Sequence, residues 1–206
     1  GQHIDVSLWE ATTAIVAEGW MEYAMNGAEP PRIGNRDTWM SPHGCFRCAG
    51  EERWVTIACA DEAEWRALAG VIGPELAEDP RFRSASDRKA NEDDLEERIT
   101  AWTRARDPWG VTRALQAVGV AAFPSMSPED LVNDPHLEER SFFARLEHPE
   151  VGARTHAGIP WRLAIGPNGV RTPAPVLGVH TDEILRTLLG YSPEEIERMV
   201  AEKIIY

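Results

Sequence analysis

The chain has 206 residues, of which 43% are hydrophobic and eight are tryptophan, so it contains enough apolar material to build a core. Its 21 lysines and arginines stand against 34 acidic residues, and the formal net charge of −13 would repel nucleic acid and anionic membranes. Apolar stretches are far shorter than the ~20 residues that span a bilayer. Three cysteines are too few for a disulfide scaffold. These counts exclude disordered, membrane-spanning and nucleic-acid-binding proteins, and they predict a soluble cytoplasmic one.

The first residues predict a strand followed by one helix. Ile4, Val6 and Leu8 alternate as on a strand, and apolar residues within 9–23 recur at helical spacing. Glycines and prolines from residue 26 to residue 44 predict a long loop. A strand this early requires neighbours from elsewhere, and the chain does not open on a methionine. We therefore expect part of a larger polypeptide or assembly, with some of its fold and chemistry upstream of Gly1.

The middle of the chain predicts a hairpin followed by helices. Segments 45–49 and 54–58 have strand composition and are joined by polar residues. Three helices are expected next: one from N-cap Asp61 to Gly73-Pro74, one that buries Leu95, Ile99 and Trp102 after a turn-rich connector at 79–88, and one that opens at Asp107-Pro108.

The last third alternates short strands and short helices. We expect a strand at 120–123, brief helices after Ser127 and Asp134, strands at 142–146 and 158–164, an extended segment at 167–175, and helices at 181–189 and 192–202. The alternation of helices and strands indicates an α/β chain.

Few residues have the spacing of a self-contained active site. Cys45 and Cys48 form a CxxC pattern, but on a strand they face opposite sides and no second pair completes four ligands. The six histidines are scattered, so no metal site is predicted. Paired acidic residues lie in polar runs typical of solvated surfaces. Residue patterns alone therefore predict no nucleophile, no cofactor motif and no metal ligands.

Several phrases of the chain occur together, in the same order, in one known family. They are GQHIDVSL at 1–8, GNR at 34–36 with PHGCF at 42–46, DPRF at 79–82 with Arg88, Asn91 and Trp102, DPHL at 134–137 with FF at 142–143, HP at 148–149 with Gly152, and APVLG at 174–178 with HT at 180–181 and LGYS at 189–192. Read together, the chain resembles the class III CoA-transferases, also called the CaiB/BaiF family.

The resemblance implies an α/β fold built as the C-terminal half of such an enzyme. Residues 1–34 would be the strand and helix that end a Rossmann-type large domain. Residues 35–125 would be a linker loop and an inserted small α+β domain, and residues 126–206 a return linker with C-terminal helices. We expect the first ~30 and last ~55 residues to pack on each other or on a missing partner, away from the small domain. The complete protein would be a homodimer of interlocked subunits.

The resemblance also implies the chemistry of the complete enzyme. An aspartate attacks an acyl-CoA and carries CoA as an aspartyl-CoA thioester to a carboxylic acid. In the family this aspartate and most CoA contacts precede the strand at 1–8, so no residue of this chain is predicted to be catalytic. The expected partners are acyl-CoA and carboxylic acid molecules, with CoA thioester as substrate and no resident cofactor.

The loop after Gly34 differs from that of related formyl-CoA transferases, which carry a run of glycines over the aspartate. Here it reads RDTWMS at 36–41. A bulkier segment at this place predicts contact with substrate, with Arg36 as a carboxylate partner and apolar surface beside it, unless the loop only packs at the domain junction. The predicted substrate-binding residues are Asn35, Arg36, Trp39, Met40, His43 and Gly44.

Two other functions stay open. The same fold carries α-methylacyl-CoA racemases, in which an acidic residue after the second strand of the small domain approaches the substrate. Asp61 or Glu62 falls there, although Asp61 is first of all a helix cap. The other is a non-catalytic accessory subunit, which an upstream reading frame in phase with this one would argue against.

Overall fold

The computed structural model describes residues 3–205. Its strands are β1 (His43–Arg47), β2 (Trp54–Ala58), β3 (Ala121–Pro124), β4 (Phe143–His148) and β5 (Gly152–Ala157). Its α-helices are α1 (Leu8–Ile15), α2 (Ala17–Asn26), α3 (Glu62–Ile72), α4 (Pro74–Glu78), α5 (Ala85–Ala90), α6 (Glu92–Thr103), α7 (Pro108–Gln116), α8 (Pro128–Val132), α9 (Pro135–Glu139), α10 (Thr181–Thr187) and α11 (Pro193–Ala201). No helix within 3–205 is long and apolar enough to cross a membrane.

The chain divides into two units, residues 1–125 and residues 126–206. The first holds an antiparallel sheet in the order β1-β2-β3, and the second holds the β4-β5 hairpin. The large buried cluster lies within the first unit, where helices cover one face of the sheet. Its members are Phe46, Cys48, Val55, Ile57, Cys59, Trp65, Leu68, Ala69, Leu76, Phe82, Leu95, Ile99, Val111, Leu115, Val120 and Ala122.

The register of the three-stranded sheet sorts its side chains between two faces. Val55 pairs with Phe46, Ile57 pairs with Ala122, and all four are buried. Because side chains alternate along a strand, the residues between them face the opposite side. The sheet therefore has one face in the core and one face open to solvent.

Helix starts agree with the sequence expectations. Asp61 accepts hydrogen bonds from the backbone N–H groups of Ala63 and Glu64, and Asp107 caps α7 with Pro108 at its first position. Ser192 forms a reciprocal capping box with Glu195 at α11. These predictions are confirmed, since each depends on atoms only two or three residues apart.

The predicted strand at residues 4–8 is wrong. Residues 3–7 have no regular structure, and Leu8 already begins α1. A strand needs a neighbour to accept its backbone hydrogen bonds, and the described strands pair elsewhere. Ile4 and Val6 are accordingly exposed.

The predicted single helix over 9–23 is divided at Val16, which ends α1 and precedes α2. The hydroxyls of Thr12 and Thr13 donate to the carbonyls four residues earlier, and the indole N–H of Trp20 donates to the Thr13 carbonyl at 3.2 Å. Side chains that bind helix carbonyls compete with the regular ladder. Gly27 then ends α2 in the left-handed conformation, as expected.

Two segments elsewhere also differ from expectation. The strand predicted at 158–164 is not formed there; the strand of this region is β5, at Gly152–Ala157. A tight turn joins β4 to β5, and the pair next to the turn is His148 with Gly152. Gly152 has a positive φ of 68°, which suits it to that position. The connector at 79–88 contains a short 3-10 helix, Pro80–Phe82, and the start of α5, because Phe82 is buried in the core.

Candidate functional site

A cleft of the first unit lies over the open face of the three-stranded sheet, beside the loop that precedes β1. Its volume is about 630 Å³. It is lined by Gly34, Asn35, Arg36, His43, Gly44, Cys45, Thr56, Ile57, Ala58, Gln116, Ala121, Ala122 and Phe123. A smaller pocket of about 280 Å³ shares residues 34–36 and extends to Glu96 and Thr100.

One row of paired residues crosses the open face of the sheet. Cys45 pairs with Thr56, and Thr56 pairs with Phe123. The Thr56 hydroxyl donates to the Phe123 carbonyl at 3.0 Å. The Phe123 ring packs edge-to-face on the Trp109 ring, with 5.5 Å between the ring centroids. The row offers a mainly apolar surface with one hydroxyl, which suits a small organic ligand.

Arg36 lines both pockets, and its guanidinium is held by carboxylates of α6. It donates from Nε and Nη2 to Glu96, each at 2.7 Å, and also from Nη2 to Asp93, while Glu92 lies 3.6 Å away. Hydrogen bonds to Glu96 and Asp93 raise the pKa of Arg36. A substrate carboxylate at this guanidinium would compete with these acids.

Asp37 shapes the next turn of the loop. Its carboxylate accepts from the backbone N–H groups of Trp39 at 2.7 Å and Met40 at 2.8 Å, and these two bonds lower the pKa of Asp37. The Trp39 side chain is left 85% exposed. Neither Trp39 nor Met40 lines the cleft, so the structure brings four of the six predicted residues together in its lining and leaves these two out of it.

Two cations of α5 fix the loop from behind. The buried Arg88 donates to the Ser41 carbonyl at 2.8 Å and to Glu62 at 2.7 Å, and it lies over the Trp65 ring at 4.7 Å. Lys89 donates to the Asp37 carbonyl at 2.6 Å. The loop between Arg36 and β1 is therefore bonded to α5 near both of its ends, at Asp37 and at Ser41.

His43 closes the loop onto the first strand. Its Nδ1 lies 2.7 Å from the Asn35 carbonyl oxygen. Because a carbonyl oxygen only accepts, we assign the ring proton to Nδ1, and Nε2 of the neutral ring is then an acceptor. Both residues line the cleft.

The cysteines lack the features of activated thiols. Burial raises the pKa of Cys45, that of Cys48 to about 11 and that of Cys59 to about 12. A nucleophilic or metal-binding cysteine needs the thiolate, which these environments disfavour. Within the described part of the chain, no three His, Cys, Asp or Glu side chains are grouped to hold a metal ion.

The two acidic residues considered for racemase chemistry, Asp61 and Glu62, both make bonds that stabilise the fold. Asp61 caps α3. The carboxylate of Glu62 accepts hydrogen bonds from the Arg88 guanidinium, and these bonds lower the pKa of Glu62. Neither of them lines the cleft.

Sequence reasoning missed the sheet residues of the cleft, together with Gly34 and Gln116. These sheet residues are Cys45, Thr56, Ile57, Ala58, Ala121, Ala122 and Phe123. Alternation along each predicted strand indicated which side chains share a face. The face that stays open depends on where the helices pack, and that information is not local in the sequence.

Comparison with known proteins agrees with the fold and the phrases of the sequence. CoA-transferase family III matches residues 1–181. A probable CoA-transferase of Mycobacterium tuberculosis is 35% identical over the whole chain, which covers 26% of that protein. The alpha subunit of succinyl-CoA–L-malate CoA-transferase from Chloroflexus aurantiacus is 33% identical over the whole chain, which covers 48% of it.

A solved structure of similar fold is a CaiB/BaiF family protein from Brucella suis. It superposes with a TM-score of 0.76 at 25% identity, covering 91% of this chain and 48% of that one. The chain thus spans from about a quarter to about half of the length of these proteins. From the profile match, the identities and the shared fold, the chain belongs to CoA-transferase family III.

Proposed function

We propose that the chain is the C-terminal portion of an acyl-CoA:carboxylate CoA-transferase. The match of residues 1–181 to the family carries this proposal. It is supported by the two relatives that are named CoA-transferases, one of which is named for succinyl-CoA and L-malate. The substrates would be an acyl-CoA and a free carboxylic acid, in a homodimer of interlocked subunits.

The proposed reaction runs through an aspartate of the complete protein. Its carboxylate attacks the thioester carbonyl, the C–S bond breaks, CoA leaves as the thiolate, and the acyl group stays on the aspartate as a mixed anhydride. The thiolate then attacks the aspartyl carbonyl, which releases the donor carboxylate and leaves an aspartyl-CoA thioester. The acceptor carboxylate repeats these two steps in reverse, so that the acceptor acyl-CoA forms and the aspartate is regenerated.

The described residues of this chain are better suited to shaping a pocket than to supplying the nucleophile. The lining of the larger cleft includes no carboxylate, and its thiol, Cys45, has a raised pKa. Arg36 is neutralised by acids of α6, so the cleft offers little positive charge to CoA phosphates. Another part of the protein would therefore provide the aspartate and the phosphate contacts.

Within this proposal, the open face of the sheet and the loop before it border the acyl group. The Phe123 ring and the Cys45 side chain provide apolar contact, and His43 Nε2 is an acceptor for a hydroxyl or protonated group. Trp39 is exposed on the loop that carries the lining residues Arg36 and His43, where a substrate held by another domain would meet it.

The test is a CoA-transfer assay on the full-length protein encoded by the gene, with succinyl-CoA as donor and a panel of carboxylic acids as acceptors. We expect product acyl-CoA and, without acceptor, a covalent CoA adduct in the intact-mass spectrum. The 206-residue chain assayed in parallel should be inactive. In calorimetric titration it should bind CoA more weakly than the low micromolar range, and low micromolar binding would contradict the proposal.

One further measurement separates transfer from the racemase alternative. A racemase exchanges the α-hydrogen of a 2-methylacyl-CoA for deuterium in heavy water and needs no acceptor acid. Exchange without CoA transfer would overturn the proposed function. If the protein showed neither exchange nor transfer, an accessory subunit would be favoured.

A further inference from the structure

A second depression, in the unit of residues 126–206, is independent of the cleft described above. It has a volume of about 340 Å³, within the range of small-molecule sites. It is lined by Arg140, Ser141, Phe142, Ala144, Gly158, Ile159, Trp161, Arg162, Asn168, Gly169 and Val170.

The walls of this depression are held by specific backbone contacts. Gly158 lies so close to Phe142 that an added Cβ would stand 2.4 Å from the Phe142 carbonyl oxygen. On the other side, the Asn168 side chain accepts from the Leu163 N–H at 2.6 Å and donates to the Leu163 carbonyl at 2.9 Å. The depression is thus built by the base of the β4-β5 hairpin and by a closed loop that follows it.

The charges that line the depression are both positive. Arg162 donates to the Arg140 carbonyl at 2.6 Å, and Arg140 donates to the Pro160 carbonyl at 3.3 Å. Within residues 3–205 neither guanidinium has an ion-pair partner, and each has five N–H donors. The lining thus presents two cations and no carboxylate, in a chain whose formal net charge is −13.

A planar apolar surface stands beside these guanidiniums. The Trp161 side chain lines the depression and is 64% exposed. On the same face of the hairpin, His156 pairs with the lining residue Ala144, and its Nε2 is buried with no hydrogen-bond partner in the described chain. The surface therefore combines two guanidiniums that lack ion-pair partners within residues 3–205 with an aromatic face.

We propose that this depression binds a small organic oxyanion, a phosphate or carboxylate group attached to a planar or apolar body. The guanidinium forks of Arg140 and Arg162 would receive the oxyanion, a geometry that arginine matches with two parallel hydrogen bonds. The body would lie against Trp161. This site does not depend on the proposed CoA-transferase function.

The test measures binding of phenyl phosphate and benzoate to the 206-residue chain by ligand-observed NMR, with inorganic phosphate and benzyl alcohol as comparisons. We expect at least one aromatic anion to bind with a dissociation constant on the order of 1 mM or below. Comparing the two anions shows whether the site prefers phosphate or carboxylate. Benzyl alcohol, which has no charge, should not bind.

Matched variants locate the site. R162Q should weaken binding about tenfold or more, and R162K should retain part of the affinity because the charge remains. R145Q is the control, since Arg145 is exposed on the neighbouring strand position and does not line the depression. Circular dichroism checks that each variant is folded. The proposal is overturned if neither anion binds saturably at about 10 mM, if inorganic phosphate binds as tightly as phenyl phosphate, or if R145Q weakens binding as much as R162Q.

Discussion

Because the Trp39 side chain is exposed, its replacement should affect substrate selectivity and have little effect on folding. Its side chain is 85% exposed, and the turn beneath it is held by backbone bonds to Asp37 that do not need the indole. We expect W39A to change the free energy of unfolding by less than ~0.5 kcal/mol. In the full-length protein it should shift relative kcat/KM between acyl donors by about 10- to 100-fold.

The measurements for Trp39 are thermal unfolding and a comparison of kcat/KM across acyl donors. T38A is a suitable control, because Thr38 is an exposed neighbour in the same loop. Strong destabilisation by W39A with unchanged selectivity would show that the indole serves packing and that its assignment to the acyl pocket is wrong.

For Arg88 we expect the opposite, an effect on stability, because its side chain is 2% exposed and makes its bonds inside the first unit. R88A removes charge-assisted bonds to the Ser41 carbonyl and to Glu62, together with contact to Trp65. We expect a loss of about 2–4 kcal/mol in the free energy of unfolding, measured by chemical denaturation. R83A, at an exposed arginine five residues earlier, should change it by less than ~0.5 kcal/mol. Equal effects of the two variants would contradict the anchoring role of Arg88.

At the scale of elements, the Glu62–Arg88 pair joins α3 to α5 and makes their contact depend on pH. The Arg88 hydrogen bond lowers the pKa of Glu62 below its ordinary value of 4.5. A carboxylate with a lowered pKa stabilises the fold above its unfolded pKa, and this stabilisation is lost as the pH falls through the folded value. E62Q should therefore be less stable than the parent chain near neutral pH, and the difference should shrink below pH ~4.5.

Denaturant midpoints measured across that pH range check this prediction. E78Q provides the control, because Glu78 is exposed at the end of α4. A constant difference between E62Q and the parent chain at every pH would show that the substitution acts through packing and not through the charge of Glu62.

For the whole molecule, burial is distributed unevenly. The buried cluster is formed by residues of the stretch that runs from β1 to β3 along the chain. In contrast, no residue of α1 or α2 is buried, and Leu8 and Trp9 are 83% and 84% exposed. Apolar helix faces of this size need a covering surface. We propose that the remainder of a family III protein provides it.

Hydrogen exchange tests this at the level of the molecule. In the 206-residue chain, amides of α1 and α2 should exchange by local opening, while those of Val55 and Ile57 should be protected close to the global stability. In the full-length protein the two helices should become protected as well. Equal exchange of α1 and α2 in both proteins would show that the added chain does not cover them.

The sequence by itself determined the features that depend on near neighbours. Helix starts at Asp61, Asp107 and Ser192 were predictable because a cap and its N–H partners lie within three residues. The hairpin was predicted as well, although β1 begins two residues earlier than expected. Ordered phrases along the chain were enough to indicate the family, which the comparisons confirmed.

Only the tertiary structure decided what depends on distant partners. The Ile4–Leu8 alternation did not become a strand, because strand hydrogen bonds come from a neighbour that local sequence does not specify. Arg36 had the chemistry of a substrate contact, yet its nearest carboxylates are those of α6, about 60 residues along the chain. Pairing and charge contacts across such separations depend on how elements pack, and for that reason the cleft and the arginine-lined depression emerged only from the fold.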